Sequence, residues 1–197
     1  AISHDARWVA GAAQRACGAL GGCHFAVMLG DNIYDKGVNT SADGELVGNL
    51  AQAWAWAGPQ YWLPGNHDWG PYFWPLAAPK KSRVEREFAW LDYYRGQLRT
   101  ETGHFMQFRA GPVDLWSVDS NYLVHKCRRD AVFGFSCRGE RIEQVLDSVG
   151  RGEGRWQVLL SHHPYRSNGE HGNAGRFLDK GLSLWKGRGY EAFIQRN

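Results

Sequence analysis

Three apolar runs in this chain stop abruptly at an Asp, Asn or His. Residues Cys23 to Leu29 lead into Gly30-Asp31-Asn32-Ile33-Tyr34, and Tyr61-Trp62-Leu63 leads into Pro64-Gly65-Asn66-His67-Asp68. Val158-Leu159-Leu160 leads into Ser161-His162-His163-Pro164. Short apolar runs bounded by turn-forming residues read as buried strands. In an open α/β sheet, ligands bind outside the carboxyl ends of the strands. A fold that brings these three ends together would gather carboxylate, amide and imidazole groups, the donor set of a metal-dependent enzyme.

The segments between the runs fit such a fold. A helix is predicted from Ser3 to about Leu20, with Val9, Ala13, Ala16 and Leu20 on one face and Gly21-Gly22 as its stop. A second is predicted over Glu45 to Ala57, with Leu46, Leu50, Trp54 and Ala57 as its stripe, followed by the strand Gln60–Leu63. Helix, strand, helix, strand is the order of parallel pairing with crossover helices. Trp69 to Lys81 reads as an irregular loop, and Ser82-Arg83-Val84-Glu85 as a capping box opening a helix with Val84, Phe88 and Leu91 inward. Phe105–Arg109 and Val113–Val118, joined through Ala110-Gly111-Pro112, predict an antiparallel hairpin and hence a mixed sheet. A loop over 119–139, a helix carrying Ile142, Val145, Leu146 and Val149, the strand Trp156–Ser161 and a short helix near Tyr190–Gln195 complete the reading.

At 197 residues the chain can bury a sizeable core, and a single domain over 1–197 is the expectation. Lys+Arg 23 against Asp+Glu 20 leaves a net charge of +3, too mild to argue for nucleic acid. The longest charge-free stretch, Leu46 to Asn66, contains Asn49, Gln52, Pro59, Gln60 and Pro64 and makes a poor membrane span. No nucleic-acid or membrane partner is therefore expected. Cys17, Cys23, Cys127 and Cys137 lack CxxC spacing, which argues against a thiolate zinc site. Cys127 and Cys137 bracket a loop and would suit a disulfide in an exported protein, but free thiols fit equally.

At the strand ends, Asp31 is either a turn residue or a carboxylate bridging two cations, a role that offsets their repulsion. Tyr34 is either a pocket-rim aromatic or a phenolate ligand, which calls for a strongly Lewis-acidic ion such as Fe(III). Asn66 followed by His67 offers an amide ligand beside a proton donor, and Asp68 could orient or support that imidazole. His162 and His163 are adjacent on extended backbone, so at most one faces a common site. His171, in Glu170-His171-Gly172, offers another imidazole, and Tyr165, Arg166, Ser167 and Asn168 would suit phosphate contacts.

In order, Gly30-Asp31-Asn32-Ile33-Tyr34, Gly65-Asn66-His67-Asp68, and His162-His163-Pro164 with Glu170-His171-Gly172 resemble the motifs of the calcineurin-like metallophosphatases. Within them they are most similar to purple acid phosphatases of the small, tartrate-resistant type. The resemblance implies an α/β sandwich of two mixed sheets flanked by helices. It implies two metal ions, Fe(III) plus a divalent Fe, Zn or Mn, with Asp31 as bridge, Tyr34 on the ferric ion, and Asn66 and His162 on the divalent one. His67 would act at the leaving group and His171 would line the pocket. A metal-held hydroxide would attack a phosphate monoester in line. By the same resemblance the protein would be secreted, periplasmic or lysosome-like.

Two of the family's motifs have no match. The Asp-x-Gly after the N-terminal strand is absent, Asp5 reading instead as a first-turn helix residue, and no His follows His171 to supply a Gly-His-x-His. The expectation is a domain incomplete at both termini, from an enzyme hydrolysing phosphate monoesters. The alternatives are a non-catalytic binding protein that retains the fold, or a phosphodiesterase or nucleotidase with the same metal core.

Overall fold

Parallel strands require crossovers, and the first half of the chain provides them as helices. The order is α1 (His4–Ala19), β1 (Ala26–Met28), α2 (Ser41–Ala53), a 3-10 turn (Ala55–Ala57), β2 (Gln60–Trp62), α3 (Lys81–Leu98) and β3 (Thr100–Thr102). The computed structural model describes residues 4–34, 36–70, 81–126, 128–130, 134–136, 140–164, 168 and 193–194. The chain divides into two compact units, 1–103 and 104–197.

In the first unit β1, β2 and β3 form a parallel sheet in that order, with Val27 opposite Tyr61 and Tyr61 opposite Glu101. Its core joins Ile33, Val38, Val47, Ala51, Trp62, Leu91 and Leu98, burying one face each of α2 and α3. The two helices approach closely because α2 presents Gly44 to Trp90 and Gly48 to Tyr94, where a Cβ would collide with the rings. Buried polar groups at the strand starts are tied to the helices: Gln60 Nε2 donates to Ala51 O at 2.9 Å and Thr100 Oγ1 to Leu91 O at 2.8 Å. Such bonds offset the cost of burying these donors, while Gln60 Oε1 has no hydrogen-bond partner among the described residues.

Several boundaries differ from the sequence reading. Strand β1 is only three residues long: Leu29 falls outside it, and Cys23 is tied back to α1 by a Cys17–Cys23 disulfide across the positive-φ pair Gly21 and Gly22. Helix α2 begins at Ser41, four residues before Glu45. A capping box sets that start: Asp43 N donates to Thr40 Oγ1 at 3.2 Å and Thr40 N to Asp43 Oδ2 at 2.7 Å. Asp fills the place usually held by Glu or Gln, which concealed the motif. Helix α3 is already helical at Lys81, so Ser82 lies inside it, while Val84 and Leu91 are buried as expected. The strand β3 was not anticipated. The loop expected over 69–81 lies mostly outside the described residues.

In the second unit β4 (Phe105–Ala110) and β5 (Val113–Val118) make the anticipated hairpin, with Ala110 opposite Val113 and Gly111 at φ +56° in the two-residue turn. The interval 119–139 contains α4 (Ser120–Lys126) and a small antiparallel pair, β6 (Arg128–Asp130) with β7 (Gly134–Ser136). These elements are too short to leave a periodic signal. Helix α5 (Glu140–Ser148) precedes β8 (Trp156–Ser161), which pairs parallel to β5 with Ser161 opposite Val118. The sheet β4-β5-β8 is therefore mixed, as expected. Cys127 and Cys137 lie outside the described residues, and of the tail helix only Phe193 and Ile194 lie within them, both helical. Among the described residues no helix is long and apolar enough to cross a membrane.

Candidate metal centre

The ends of β1 and β2 are adjacent because the strands pair in register, with Met28 opposite Trp62 and Leu63 N donating to Met28 O at 3.0 Å. The next step needs glycine. Gly30 sits at φ +93°, and a Cβ there would lie 2.6 Å from Gly65 Cα. With no side chain between them, the two turns pack backbone to backbone. Asp31 follows at φ +56°, a left-handed conformation uncommon for a residue with a Cβ. It is held there on both carboxylate oxygens: His67 N donates to Oδ1 at 2.9 Å and the Tyr34 hydroxyl to Oδ2 at 2.7 Å. Tyr34 and His67 rings lie 4.4 Å apart between centroids. Asp31, Tyr34 and His67 are thus brought together, with Asn66 beside them in the chain.

Asp68 is fully buried and braces both turns. Its Oδ1 accepts from Ile33 N at 2.9 Å, and its Oδ2 from Gly65 N at 2.8 Å and Asn32 N at 3.2 Å. Burial raises its pKa to about 6; the three backbone N–H bonds oppose that rise, and the Asp31 charge adds to it. The Asn32 amide donates to Leu63 O at 3.1 Å and to Glu87 Oε1 at 3.0 Å. Glu87, on α3, has no exposed surface. Neither Asn32 nor Glu87 was singled out from sequence. The available signal was an acidic residue on the inward stripe between Val84 and Leu91.

Tyr34 presents its ring to solvent and its hydroxyl to Asp31. Partial loss of water pushes its pKa up to about 12, followed by the hydrogen bond to Asp31 and the charges of Asp31 and Asp68. With no cation nearby the phenol keeps its proton. A multivalent cation between the two oxygens would reverse that balance, since its charge favours the deprotonated ligand.

In the second unit the parallel ends of β5 and β8 carry Asp119-Ser120 and His162-His163. Ser120 Oγ and His163 Nδ1 lie 2.7 Å apart, and His163 N donates to Ser120 Oγ at 3.1 Å. Asp119 and His104 Nδ1 are paired at 2.6 Å, and Asp119 Oδ1 accepts from Tyr122 N at the start of α4. His163 is buried and His162 half-buried, and their rings meet edge to face with centroids 4.9 Å apart at 76°. Of the two, His163 is the one that contacts Ser120. Ser120 was missed because a Ser after a strand has no distinctive signature. His171 lies outside the described residues, as do Tyr165, Arg166 and Ser167.

Among the described residues no three His, Cys, Asp or Glu side chains gather closely enough to hold a metal by themselves. The first unit instead offers oxygen donors, Asp31 and Tyr34 in contact with Asn66 nearby, a hard set suited to ferric or divalent cations. No curated protein matches the chain. The calcineurin-like phosphoesterase family model matches residues 8–187, a span that runs through both units. The chain belongs to the calcineurin-like phosphoesterases, a family of metal-dependent hydrolases of phosphate esters.

Proposed function

We propose that this chain carries the site of a phosphate monoesterase of the purple acid phosphatase type, working with Fe(III) and a divalent Fe, Zn or Mn ion. The observation that carries the reading is the 2.7 Å contact between the Tyr34 hydroxyl and the Asp31 carboxylate. A phenol and a carboxylate converging from one turn suit a single strongly Lewis-acidic ion. In this reading Asp31 would be shared between the two ions, Tyr34 would hold the ferric one, and Asn66 and His162 would be the ligands for the divalent one. When bound, the ions supply Lewis acidity at phosphorus and an activated water.

The protein's own groups do the rest. His67, its backbone N–H anchored on Asp31, donates a proton at the leaving-group oxygen. Asp68 is a positioning residue: its carboxylate holds the backbone on either side of the site. His171 is the proposed pocket imidazole and takes a small-molecule phosphate ester as its partner. The Cys17–Cys23 disulfide fits an oxidising compartment, in keeping with a secreted, periplasmic or lysosome-like protein.

The test compares hydrolysis of an aryl phosphate and a bis-aryl phosphate by the metal-loaded protein and by His67→Ala. The monoester should be preferred, and His67→Ala should lose about 10²- to 10⁴-fold in turnover with its metal content kept. Preference for the diester would favour a phosphodiesterase. No turnover of either would favour a binding protein that retains the fold.

A further inference from the structure

A carboxyl with no exposed surface in the middle of a helix needs a partner or a proton. Glu87 is such a group, three residues after Val84 and four before Leu91 on the inward face of α3. Its Oε1 accepts from the Asn32 amide at 3.0 Å. Its carboxyl also lies within hydrogen-bonding reach of Asp68, yet Oε2 has no donor turned towards it. Two carboxyl groups bond only when one of them carries a proton. Burial and then the Asp68 charge push Glu87 well above the ordinary carboxyl range, so the proton belongs to Glu87. A proton on Glu87 gives its carboxyl a donor for the Asp68 carboxylate, its second side-chain partner beside Asn32.

Asn32 is the hub of this arrangement. Its amide nitrogen has two hydrogens and faces three acceptors: Leu63 O at 3.1 Å, Glu87 Oε1 at 3.0 Å and Asp68 Oδ2 at 3.4 Å. The longest of the three is therefore shared. Asn32 directly follows Asp31, and Asp68 directly follows His67. From one helix position Glu87 thus holds one neighbour of each reacting turn. An apolar side chain of the same length would fill the space but bond neither.

We infer that Glu87 is a positioning residue, fixing the Asp31 turn against the Asn66-His67 turn through its bonds to Asn32 and Asp68. This rests on the reading of those turns as the reaction site. The network itself also stands apart from that reading, so part of the test uses no turnover.

The experiment compares Glu87→Gln, Glu87→Met and Asn32→Ala. Gln keeps both bonds, its oxygen accepting from Asn32 and its nitrogen donating to Asp68, whereas Met keeps only the bulk. In the metal-loaded protein Glu87→Met should lose about 10- to 100-fold in kcat with KM little changed, and Glu87→Gln should stay close to wild type. In the metal-free protein, amide hydrogen exchange at Ile33 and Gly65 should accelerate by about tenfold or more in Glu87→Met and Asn32→Ala, but not in Glu87→Gln. Val47 and Leu91 should keep their wild-type protection in all three. The double variant Glu87→Met/Asn32→Ala should be no worse than either single change. Wild-type exchange at Ile33 and Gly65 in Glu87→Met overturns the inference, as does Glu87→Gln behaving like Glu87→Met. If Glu87→Met does not fold, Asn32→Ala and Glu87→Gln decide by the same exchange readout. An inactive wild type with the expected exchange pattern would count against the phosphatase reading and for the role of Glu87.

Discussion

Tyr34 and Asp31 are three residues apart, and the hydroxyl of one donates to the carboxylate of the other at 2.7 Å. Partial burial and then that bond push the phenol's pKa up from 10.0 to about 12. Loading with Fe(III) near neutral pH should therefore produce a visible tyrosinate-to-iron absorption band and displace the phenolic proton. The band should be missing in Tyr34→Phe; an unchanged band in that variant would refute Tyr34 as the ligand. The proximity of Asp31, Tyr34 and His67 was legible because they sit in short runs at strand ends, where Gly30-Asp31 and Gly65-Asn66-His67 are contiguous. Asn32, Glu87 and Ser120 were not. Their importance comes from burial and from partners 30 to 55 positions away, such as Leu63 and Glu87 for Asn32, and no local pattern encodes such a distance.

Elements whose pattern is both long and regular were placed correctly: the β4-β5 hairpin, the bounds of β8 and the inward stripe of α3, although β8 is largely exposed where its apolar run predicts burial. Those that depend on a tie to something else were not. Cys23 is tied to α1 by a disulfide instead of opening β1, and α2 starts early because Thr40 and Asp43 cap each other. The glycines make the same point and can be tested. Gly30 sits at positive φ against Gly65, so Gly30→Ala combines a strained backbone with a backbone collision. It should cost about 2–4 kcal/mol in urea unfolding, above the usual cost of a point change. Gly18 lies inside α1 with nothing within 4 Å of an added Cβ. Gly18→Ala should instead stabilise by about 0.5–1 kcal/mol, through helix propensity and a less flexible unfolded chain. Equal effects at the two positions would contradict the close packing of the β1 and β2 turns.

At the scale of the molecule, the carboxyl cluster makes the metal-free chain pH-sensitive in an unusual direction. Asp68 is raised from 3.8 to about 6 and Glu87 is raised further above its ordinary range, both chiefly by burial. An acid whose folded pKa is raised binds its proton more tightly in the folded state, so it favours folding at low pH. That contribution is lost as pH rises through the folded pKa. For Asp68 the change amounts to roughly 3 kcal/mol at about 1.4 kcal/mol per unit, developed between about pH 4 and pH 6. Glu87 stays protonated over a range where the unfolded chain does not, a slope of at most about 1.4 kcal/mol per pH unit. Removing that one proton isolates the effect. The unfolding free energy of the metal-free wild type, minus that of Glu87→Gln, should fall as pH rises above the ordinary Glu range. Parallel curves, or a rising difference, would show that Glu87 holds no proton in the folded state. Metal loading should oppose the trend, because a cation beside Asp31 offsets the negative charge that Asp68 and Glu87 otherwise face, and binding to the folded state alone adds stability by mass action. The gap between loaded and metal-free protein should therefore widen towards neutral pH if the ions bind at the proposed turns of the first unit.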